Sequence, residues 1–203
     1  MIRFIAFDLG NLLFRVDHGP AWQQTRAHTL LGEEELFRRF YGSGDMIECL
    51  MGSLDDHVFF GRLAQELEYT GGVDQLIGIW QGVFAPIPER LALLAELERD
   101  YEIGVISNIS RFQSDHLERQ FPWLQQYRSV TYSWRCGYLK PRPEIFVRSL
   151  ECSGHEPGQC LFIDDQQRHV EAAEALGWHG LHVALEDDLR ASLRQALQQN
   201  SIA

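Results

Sequence analysis

Short apolar runs alternate with stretches of helical periodicity along this chain, and this alternation constrains the fold more than any other feature. Four runs predict buried strands, at residues 4–9, 103–107, 160–163 and 180–183. Helical patterns cover residues 88–99, 112–121, 143–152, 166–176 and 185–199. Alternation of this kind is typical of a mostly parallel sheet with helices on both faces. The sequence therefore predicts an α/β fold built on a parallel sheet.

Residues 17–83 interrupt the alternation directly after the first predicted strand. They contain no convincing strand, and helical periodicity covers residues 33–41, 54–67 and 73–83. A helical insertion at this point would lie over the carboxyl end of the sheet. We therefore expect an α/β core made of residues 1–16 and 84–203, and a helical cap made of residues 17–83. Four aromatic residues are expected to form the core of that cap: Trp22, Phe37, Tyr41 and Trp80.

Length and composition limit the classes of function. The 203 residues suffice for one domain with an insertion, and the formal net charge of −11 at pH 7 argues against nucleic acid or an anionic membrane as a partner. The four cysteines form neither a CxxC pair nor a zinc spacing. We find no secretory signal and no apolar stretch of membrane-spanning length, which predicts a cytoplasmic protein. The sequence does not indicate the oligomeric state.

Polar residues follow the predicted strands or lie in a tight turn at four places: Asp8-Leu9-Gly10-Asn11, Ser107-Asn108, Lys140-Pro141 and Asp164-Asp165. Taken singly, each is explained by a turn residue or a helix cap. The carboxyl ends of neighbouring parallel strands converge, however, so these groups can meet in one crevice. That convergence makes a common chemical role the stronger hypothesis.

Together these residues supply what phosphoryl transfer requires. Asp8 can attack phosphorus and form an aspartyl-phosphate, and Asp8 with Asp165 and a backbone carbonyl can hold Mg²⁺ through oxygen ligands. Ser107 and Asn108 can donate hydrogen bonds to phosphate oxygens. Lys140 provides the local positive charge that an acidic protein otherwise lacks. The predicted partner is a small phosphorylated metabolite.

The same residues resemble the motifs of the haloacid dehalogenase-like hydrolase superfamily, a group of mostly Mg²⁺-dependent phosphatases. The segments that match, in chain order, are residues 7–11, 106–108, 137–146 and 162–177. The last two are the most specific, because they contain Lys-Pro-x-Pro-Glu-Ile-Phe and Ile-Asp-Asp-x₄-Val-x-Ala-Ala-x₃-Gly. The Asp-Leu-Gly-Asn form of the first motif is similar to a subgroup with α-glucose-1-phosphate phosphatases. The resemblance implies a Rossmann-like core with an inserted helical cap.

The resemblance also implies a role for each matched residue. Asp8 would be the nucleophile and a Mg²⁺ ligand, and Gly10 would offer its carbonyl oxygen to the metal. Asp165 would be a further ligand, while Asp164 would act through water or orient the site. Ser107, Asn108 and Lys140 would bind the phosphoryl group, and Lys140 would also stabilise Asp8. His169 stands where relatives often carry Asn or Asp.

Gly10 is the departure from the family pattern. Relatives usually carry there a second aspartate that protonates the leaving oxygen and later activates water, and glycine can do neither. Three explanations remain open. Another group replaces it, the candidates being Asp17, His18, Asp45, Glu48 and His116. The substrate has an oxygen that leaves readily, as in a sugar-1-phosphate or an acyl phosphate, which is the explanation we favour. Or the protein is a catalytically weak phosphate-binding module. A haloacid dehalogenase is a weaker alternative.

Overall fold

A five-stranded parallel sheet forms the centre of the computed structural model, which describes residues 1–42 and 44–201 but not the side chains of Tyr41, Asn200 and Ser201. The strands of the molecule are Phe4–Phe7 (β1), Phe14–Val16 (β2), Phe84–Pro86 (β3), Glu102–Ser107 (β4), Ser129–Tyr132 (β5), Cys160–Asp164 (β6) and His179–His182 (β7). The order in the parallel sheet is β5-β4-β1-β6-β7, and β2 pairs with β3 in an antiparallel ribbon. The prediction of an α/β fold on a parallel sheet is confirmed.

Strand β1 is central because all four of its side chains are apolar and buried. It pairs in parallel with β4 on one side and with β6 on the other. The order of the strands reverses around β1, and open α/β sheets bind ligands at such a switch point, beyond the carboxyl ends of the strands. Asp8 follows β1 directly and therefore lies at that point.

Helices cover the sheet and fill the insertion. Their bounds are Gly19–Arg26 (α1), Glu33–Gly42 (α2), Asp45–Leu50 (α3), Asp56–Glu66 (α4), Val73–Gln81 (α5), Pro88–Leu97 (α6), Arg111–Gln120 (α7), Ser133–Cys136 (α8), Pro143–Ser153 (α9), Gln167–Glu174 (α10) and Leu189–Ser201 (α11). Short 3₁₀ turns occupy Pro122–Gln126 and Pro157–Gln159. Among the residues described, no helix combines the length and apolar character needed to cross a bilayer.

The elements that the sequence did not predict are short or polar. Strand β5 has the sequence Ser-Val-Thr-Tyr, and its two polar residues Ser129 and Thr131 are buried, so it lacks the apolar run used to recognise strands. Strands β2 and β3 have three residues each. Helices α1, α3 and α8 have eight, six and four residues, too few for a clear period.

Helices α1 to α5 form the helical insertion, which has its own apolar cluster. Trp80 is buried in that cluster and Trp22 is packed against it, as expected. Phe37 does not fit the expectation, because 57% of it is exposed. The side chain of Tyr41 lies outside the description. Phe112 of α7 belongs to the same cluster, so the insertion packs directly on the α/β core.

Helix α3 is fastened to the core near the carboxyl end of the sheet. Ser133 donates its hydroxyl to the carbonyl oxygen of Leu50 at 2.7 Å. Gly52 has φ +72°, and a Cβ at this position would come within 2.1 Å of the carbonyl oxygen of Trp134. Only glycine allows this close approach in a left-handed conformation. As a result, α3 is held over the end of β4 and β5.

A buried arginine fixes the loop that follows β1. The guanidinium of Arg90 donates hydrogen bonds to the carbonyl oxygens of Asn11 and Leu12, at 3.2 and 3.0 Å, and to those of Ala184, Leu185 and Asp187. Arg90 is only 4% exposed, and its donors satisfy carbonyl groups that would otherwise be buried without partners. The turn carrying Gly10 and Asn11 is therefore held rigidly beside the sheet.

Candidate active site

Lys140 brings together two of the predicted strand-end segments, those that contain Asp8 and Asp164. Its Nζ donates to Asp8 Oδ1 at 2.7 Å and to Asp164 Oδ2 at 2.6 Å. Asp8 follows β1, Asp164 ends β6, and Lys140 comes from the loop between α8 and α9. All three residues are buried, with exposures of 7%, 0% and 3% respectively. Buried charges require partners, and each of these three has at least one.

The electrostatics of this group follow from burial and close charge pairing. Burial raises the pKa of Asp8, as does the charge of Asp164, while Lys140 acts in the opposite direction. Burial alone would lower the pKa of Lys140, but the charges of Asp8 and Asp164 raise it. The pKa of Asp164 falls to about 2, because Lys140 and His169 outweigh its burial. Lys140 thus stays protonated and holds two carboxylates at one point.

A third carboxylate completes a cluster that suits a hard cation. Asp8, Asp164 and Asp165 each present an oxygen within 4.8 Å of the others. Burial, together with the charges of Asp8 and Asp164, raises the pKa of Asp165 to about 6. Mg²⁺ prefers oxygen ligands and would neutralise this crowding. The side chains of Asp8 and Asp165, which line the cavity, therefore fit Mg²⁺, whereas both oxygens of Asp164 are engaged by Lys140, His169 and the Gln166 amide.

The two residues predicted to bind phosphate lie at the end of β4. Ser107 is buried and lines the same cavity as Asp8. Asn108 also lines the cavity, but its carboxamide is engaged with the backbone of Lys140. Nδ2 donates to the Lys140 carbonyl oxygen at 3.0 Å, and Oδ1 accepts from the Lys140 amide at 2.7 Å. Asn108 thus positions the loop carrying Lys140, a contact that the sequence did not predict.

Two further residues support the carboxylates. His169 is buried, and its Nδ1 lies 3.1 and 3.2 Å from the two oxygens of Asp164. Asn11 has φ +54° and donates a side-chain hydrogen bond to Asp165. The Gly-Asn dipeptide is a signal for such a left-handed turn. The sequence pointed to the position of His169 but not to its contact with Asp164.

Gly10 stands at the position where the resemblance to the family implies a second aspartate. It lines the cavity, and a Cβ built on it would lie 3.2 Å from Val16 Cγ2 and 3.9 Å from Asp8 Oδ2. A side chain at this position would therefore start directly beside the predicted nucleophile. A Cβ there would also be crowded by the Val16 methyl group, which would have to shift by a few tenths of an ångström.

Five residues are candidates for replacing the acid that Gly10 lacks. Of these five, His18 alone lines the cavity. Burial lowers its pKa, so its imidazole is neutral at pH 7 and can accept a proton. The other four candidates have different surroundings. Asp17 accepts from the Gly19 amide at 2.9 Å, Asp45 pairs with Arg62 at 3.1 Å, Glu48 is exposed, and His116 lies 2.9 Å from Gln120.

One cavity of about 290 Å³ lies between the sheet and the helical insertion. Asp8, Ser107, Lys140 and Asp165 line it from the sheet. Apolar side chains line it from the opposite side, among them Phe40 and Trp80. The cavity is half open to solvent, so the helical insertion shields one side of the site from water.

Residues 2–177 match the haloacid dehalogenase-like hydrolases, and the chain belongs to this family. The match extends from β1 through the end of the last motif, and covers the buried lysine and all three clustered carboxylates. The chain is therefore a hydrolase, as the sequence motifs predicted.

Known relatives include phosphatases. A D-ribitol-5-phosphate phosphatase from Bacteroides thetaiotaomicron is 25% identical over 185 residues, covering 88% of this chain and 90% of that protein. A haloacid dehalogenase family enzyme from the same organism, solved with magnesium and inorganic phosphate, superposes with a TM-score of 0.84 at 20% identity, over 94% of this chain and 98% of the other. The L-2-haloacid dehalogenase of Xanthobacter autotrophicus superposes with a TM-score of 0.65 at 20% identity, over 100% and 85%. The chain thus shares its fold with a haloacid dehalogenase family enzyme that holds magnesium and phosphate and with an L-2-haloacid dehalogenase.

Replacing Asp165 by Asn should stabilise the protein in Mg²⁺-free buffer at pH 7.5. The folded-state pKa of about 6 exceeds the ordinary 3.8, so the ionised carboxylate destabilises the fold above pH 6 and ceases to do so as the pH falls towards 4. Allowing for solvent screening of a half-buried group, we expect about 1 kcal/mol, or a Tm increase of about 2–4 °C. Thermal unfolding at pH 7.5 and pH 4 measures this effect.

The exposed Asp100 provides the matched control. Asp100→Asn should leave Tm unchanged at both pH values. Added Mg²⁺ should raise the Tm of the wild type and of Asp100→Asn, but have little effect on Asp165→Asn. An Asp165→Asn variant that is less stable than the wild type at pH 7.5 without Mg²⁺ would contradict the assignment of a crowded carboxylate cluster.

Proposed function

We propose that this hydrolase is a Mg²⁺-dependent phosphatase that cleaves a small phosphomonoester through an aspartyl-phosphate on Asp8. The observation that carries the proposal is Lys140, whose ammonium holds Asp8 at 2.7 Å and Asp164 at 2.6 Å inside a buried site. This arrangement fixes the nucleophile and places a positive charge where a phosphoryl group would arrive. The relative that acts on D-ribitol-5-phosphate supports a phosphorylated metabolite as the substrate.

In the first step, a carboxylate oxygen of Asp8 forms a bond to phosphorus as the bond to the leaving oxygen breaks. Ser107 donates to a phosphate oxygen, and Lys140 balances the negative charge of the phosphoryl group. Mg²⁺, held by Asp8, Asp165 and the Gly10 carbonyl oxygen, would supply charge neutralisation to the phosphate. The leaving oxygen departs with the bonding electron pair as an anion and takes its proton from solvent, because Gly10 has no proton to donate.

In the second step, water attacks phosphorus, phosphate departs and the Asp8 carboxylate is restored. This step requires a base to take a proton from the water. His18 suits that role, because it lines the cavity and burial lowers its pKa. A neutral imidazole does not serve as the acid of the first step, so the substrate must still have an oxygen that leaves readily.

Residues 17–83 would act as a cap in this mechanism. Their helices line one side of a cavity that is half open, and closure of the cap over a bound substrate would exclude water from the site.

A pair of sugar phosphates tests the need for a good leaving group. Glucose-1-phosphate should be hydrolysed faster than glucose-6-phosphate, because its anomeric oxygen leaves more readily without protonation. A missing general acid accounts for about 10²–10⁴-fold in rate, so a ratio of kcat/KM of about 100 or more is expected. Phosphate release with Mg²⁺ measures it, and equal rates would contradict the proposal of a substrate selected by its leaving oxygen.

Two alternatives make different predictions in the same assays. A catalytically weak phosphate-binding protein would bind Mg²⁺ and phosphate but turn over no ester. A haloacid dehalogenase would release chloride from 2-chloropropionate without Mg²⁺. The three clustered carboxylates favour the metal-dependent reaction, because a site that works without a cation gains nothing from this crowding.

A further inference from the structure

The wall of the cavity that faces the carboxylates is apolar. The side chains that form it come from the helical insertion, from β3 and from α7: Phe40, Met46, Leu50, Trp80, Phe84 and Phe112. This wall would contact the part of the substrate that leaves, because the phosphoryl group is bound at the opposite side. The composition of the wall therefore bears on the chemistry of the leaving group.

Two of the polar side chains on this side of the cavity, Trp80 and Gln113, are hydrogen-bonded within the protein, while His18 also lines the cavity. Trp80 donates its indole N–H to Thr25 Oγ1 at 3.2 Å. Gln113 accepts a hydrogen bond from Ser110 at 2.9 Å through its amide oxygen. A sugar or polyol carries several hydroxyl groups, and each loses its hydrogen bonds to water when it is buried against apolar groups. The wall thus disfavours a polyol and favours an apolar ring.

The wall is also firmly held. Phe40 and Trp80 stack with ring centroids 4.1 Å apart and an interplanar angle of 24°. Leu50 is tied to the core through the hydrogen bond that its carbonyl oxygen accepts from Ser133 at 2.7 Å. An engineered cavity of about 150 Å³ accommodates benzene, so about 290 Å³ gives room for a phosphoryl group and one six-membered ring.

Gly10 points to the same class of substrate independently. Without an acid beside the leaving oxygen, the group that leaves must be stable as an anion. A phenol ionises with a pKa of about 10, as tyrosine does, whereas an ordinary alcohol is a much weaker acid. An aryl ester therefore satisfies both the apolar wall and the missing acid.

We propose that the substrate of this site is a monocyclic aryl phosphate whose ring packs against Met46, Leu50 and the Phe40–Trp80 stack. The inference rests on the proposed phosphatase function and narrows its leaving group. Asp8 forms the bond to phosphorus, the bond from phosphorus to the aryl oxygen breaks, and the phenolate leaves with the electron pair and takes a proton from solvent.

Four esters separate the effect of the ring from that of the leaving group. Phenyl phosphate has both an apolar ring and a stable leaving anion. Cyclohexyl phosphate has only the ring, acetyl phosphate only the leaving group, and glucose-1-phosphate has a polar ring. With Mg²⁺ and the full chain, kcat/KM for phenyl phosphate should exceed that for cyclohexyl phosphate by about 100-fold or more. It should exceed those for acetyl phosphate and glucose-1-phosphate by about tenfold or more.

A pair of neighbouring variants tests the wall itself. Met46→Gln places an amide in the wall with little change of shape, and should raise KM for phenyl phosphate about tenfold while leaving KM for acetyl phosphate within about twofold. Ile47→Gln on the same helix is the control, because Ile47 is 55% exposed and does not line the cavity. It should leave both KM values unchanged.

Binding of non-hydrolysable analogues tests the preference for an aryl group separately from the phosphatase function. With Mg²⁺, phenylphosphonate should bind about tenfold or more tightly than methylphosphonate, and Met46→Gln should remove that difference. Equal binding, or a preference for glucose-1-phosphate over phenyl phosphate, would overturn the aryl assignment and leave the phosphatase function standing. Hydrolysis of none of the four esters would overturn the phosphatase function, and the aryl assignment with it.

Discussion

Replacing Asp8 by Asn should abolish phosphate release from every ester, with kcat lowered by about 10⁴-fold or more. The carboxamide is too weak a nucleophile to form the aspartyl-phosphate, and losses of this size are typical when a catalytic nucleophile is removed. The protein should still fold, because Asn has the shape of Asp and Lys140 keeps its bond to Asp164 at 2.6 Å. Phosphate release and circular dichroism, compared with the exposed-site variant Asp100→Asn, measure both expectations.

Trapping the intermediate makes the test specific for covalent catalysis. Wild-type protein quenched in acid during turnover of a labelled ester should retain labelled phosphate, while Asp8→Asn should retain none. If Asp8→Asn hydrolyses esters at the wild-type rate, Asp8 is not the nucleophile. If the wild type itself turns over no ester but binds Mg²⁺ and phosphate, the chain is a phosphate-binding module.

Much of the fold could be predicted because the central strands can be recognised from their own short sequences. Strands β1, β4 and β6 are continuous apolar runs bounded by polar turns, and such runs are typical of strands buried on both faces. Strand β5 lacks that signal, because its buried polar residues Ser129 and Thr131 interrupt the apolar run, and tertiary contacts accommodate Ser129. One of these is the hydrogen bond from Ser129 Oγ to the carbonyl oxygen of Ser149 at 3.2 Å.

The candidate site was predictable to the extent that its groups follow strands. Asp8 and Asp164 lie at the ends of neighbouring parallel strands, so their proximity follows from the topology. The contacts from loops were not predictable, since they depend on how distant segments fold back. Asn108 binding the backbone of Lys140 is one such contact, and the bonds from Arg90 to the turn after β1 are another.

Substituting Lys140 by Met is expected to damage both stability and activity, which distinguishes it from Asp8→Asn. Methionine has a similar volume but no charge, so Asp8 and Asp164 would remain in a buried site without their cationic partner. Removing one partner of a buried charge network costs about 3–5 kcal/mol. For a chain of 203 residues this corresponds to a decrease in Tm of about 6–20 °C, measurable by thermal unfolding.

The pH dependence of that loss reveals its cause. Without Lys140 the pKa values of both carboxyls rise, so they bind protons more tightly in the folded state than in the unfolded state. The deficit of Lys140→Met should therefore be largest at neutral pH and shrink as the pH falls and the carboxyls become protonated. A deficit that is the same at every pH would mean that lost packing, and not lost charge, destabilises the variant.

Lys140→Met is also expected to lose activity. Lys140 neutralises the phosphoryl group as well as its neighbours, so kcat of Lys140→Met should fall by about 10²–10³-fold at temperatures where the variant is folded. Mg²⁺ should restore part of the stability, because it also neutralises Asp8, but it should not restore kcat. Recovery of both by Mg²⁺ would show that Lys140 only balances charge, whereas recovery of stability alone would separate its part in the fold from its part in the reaction.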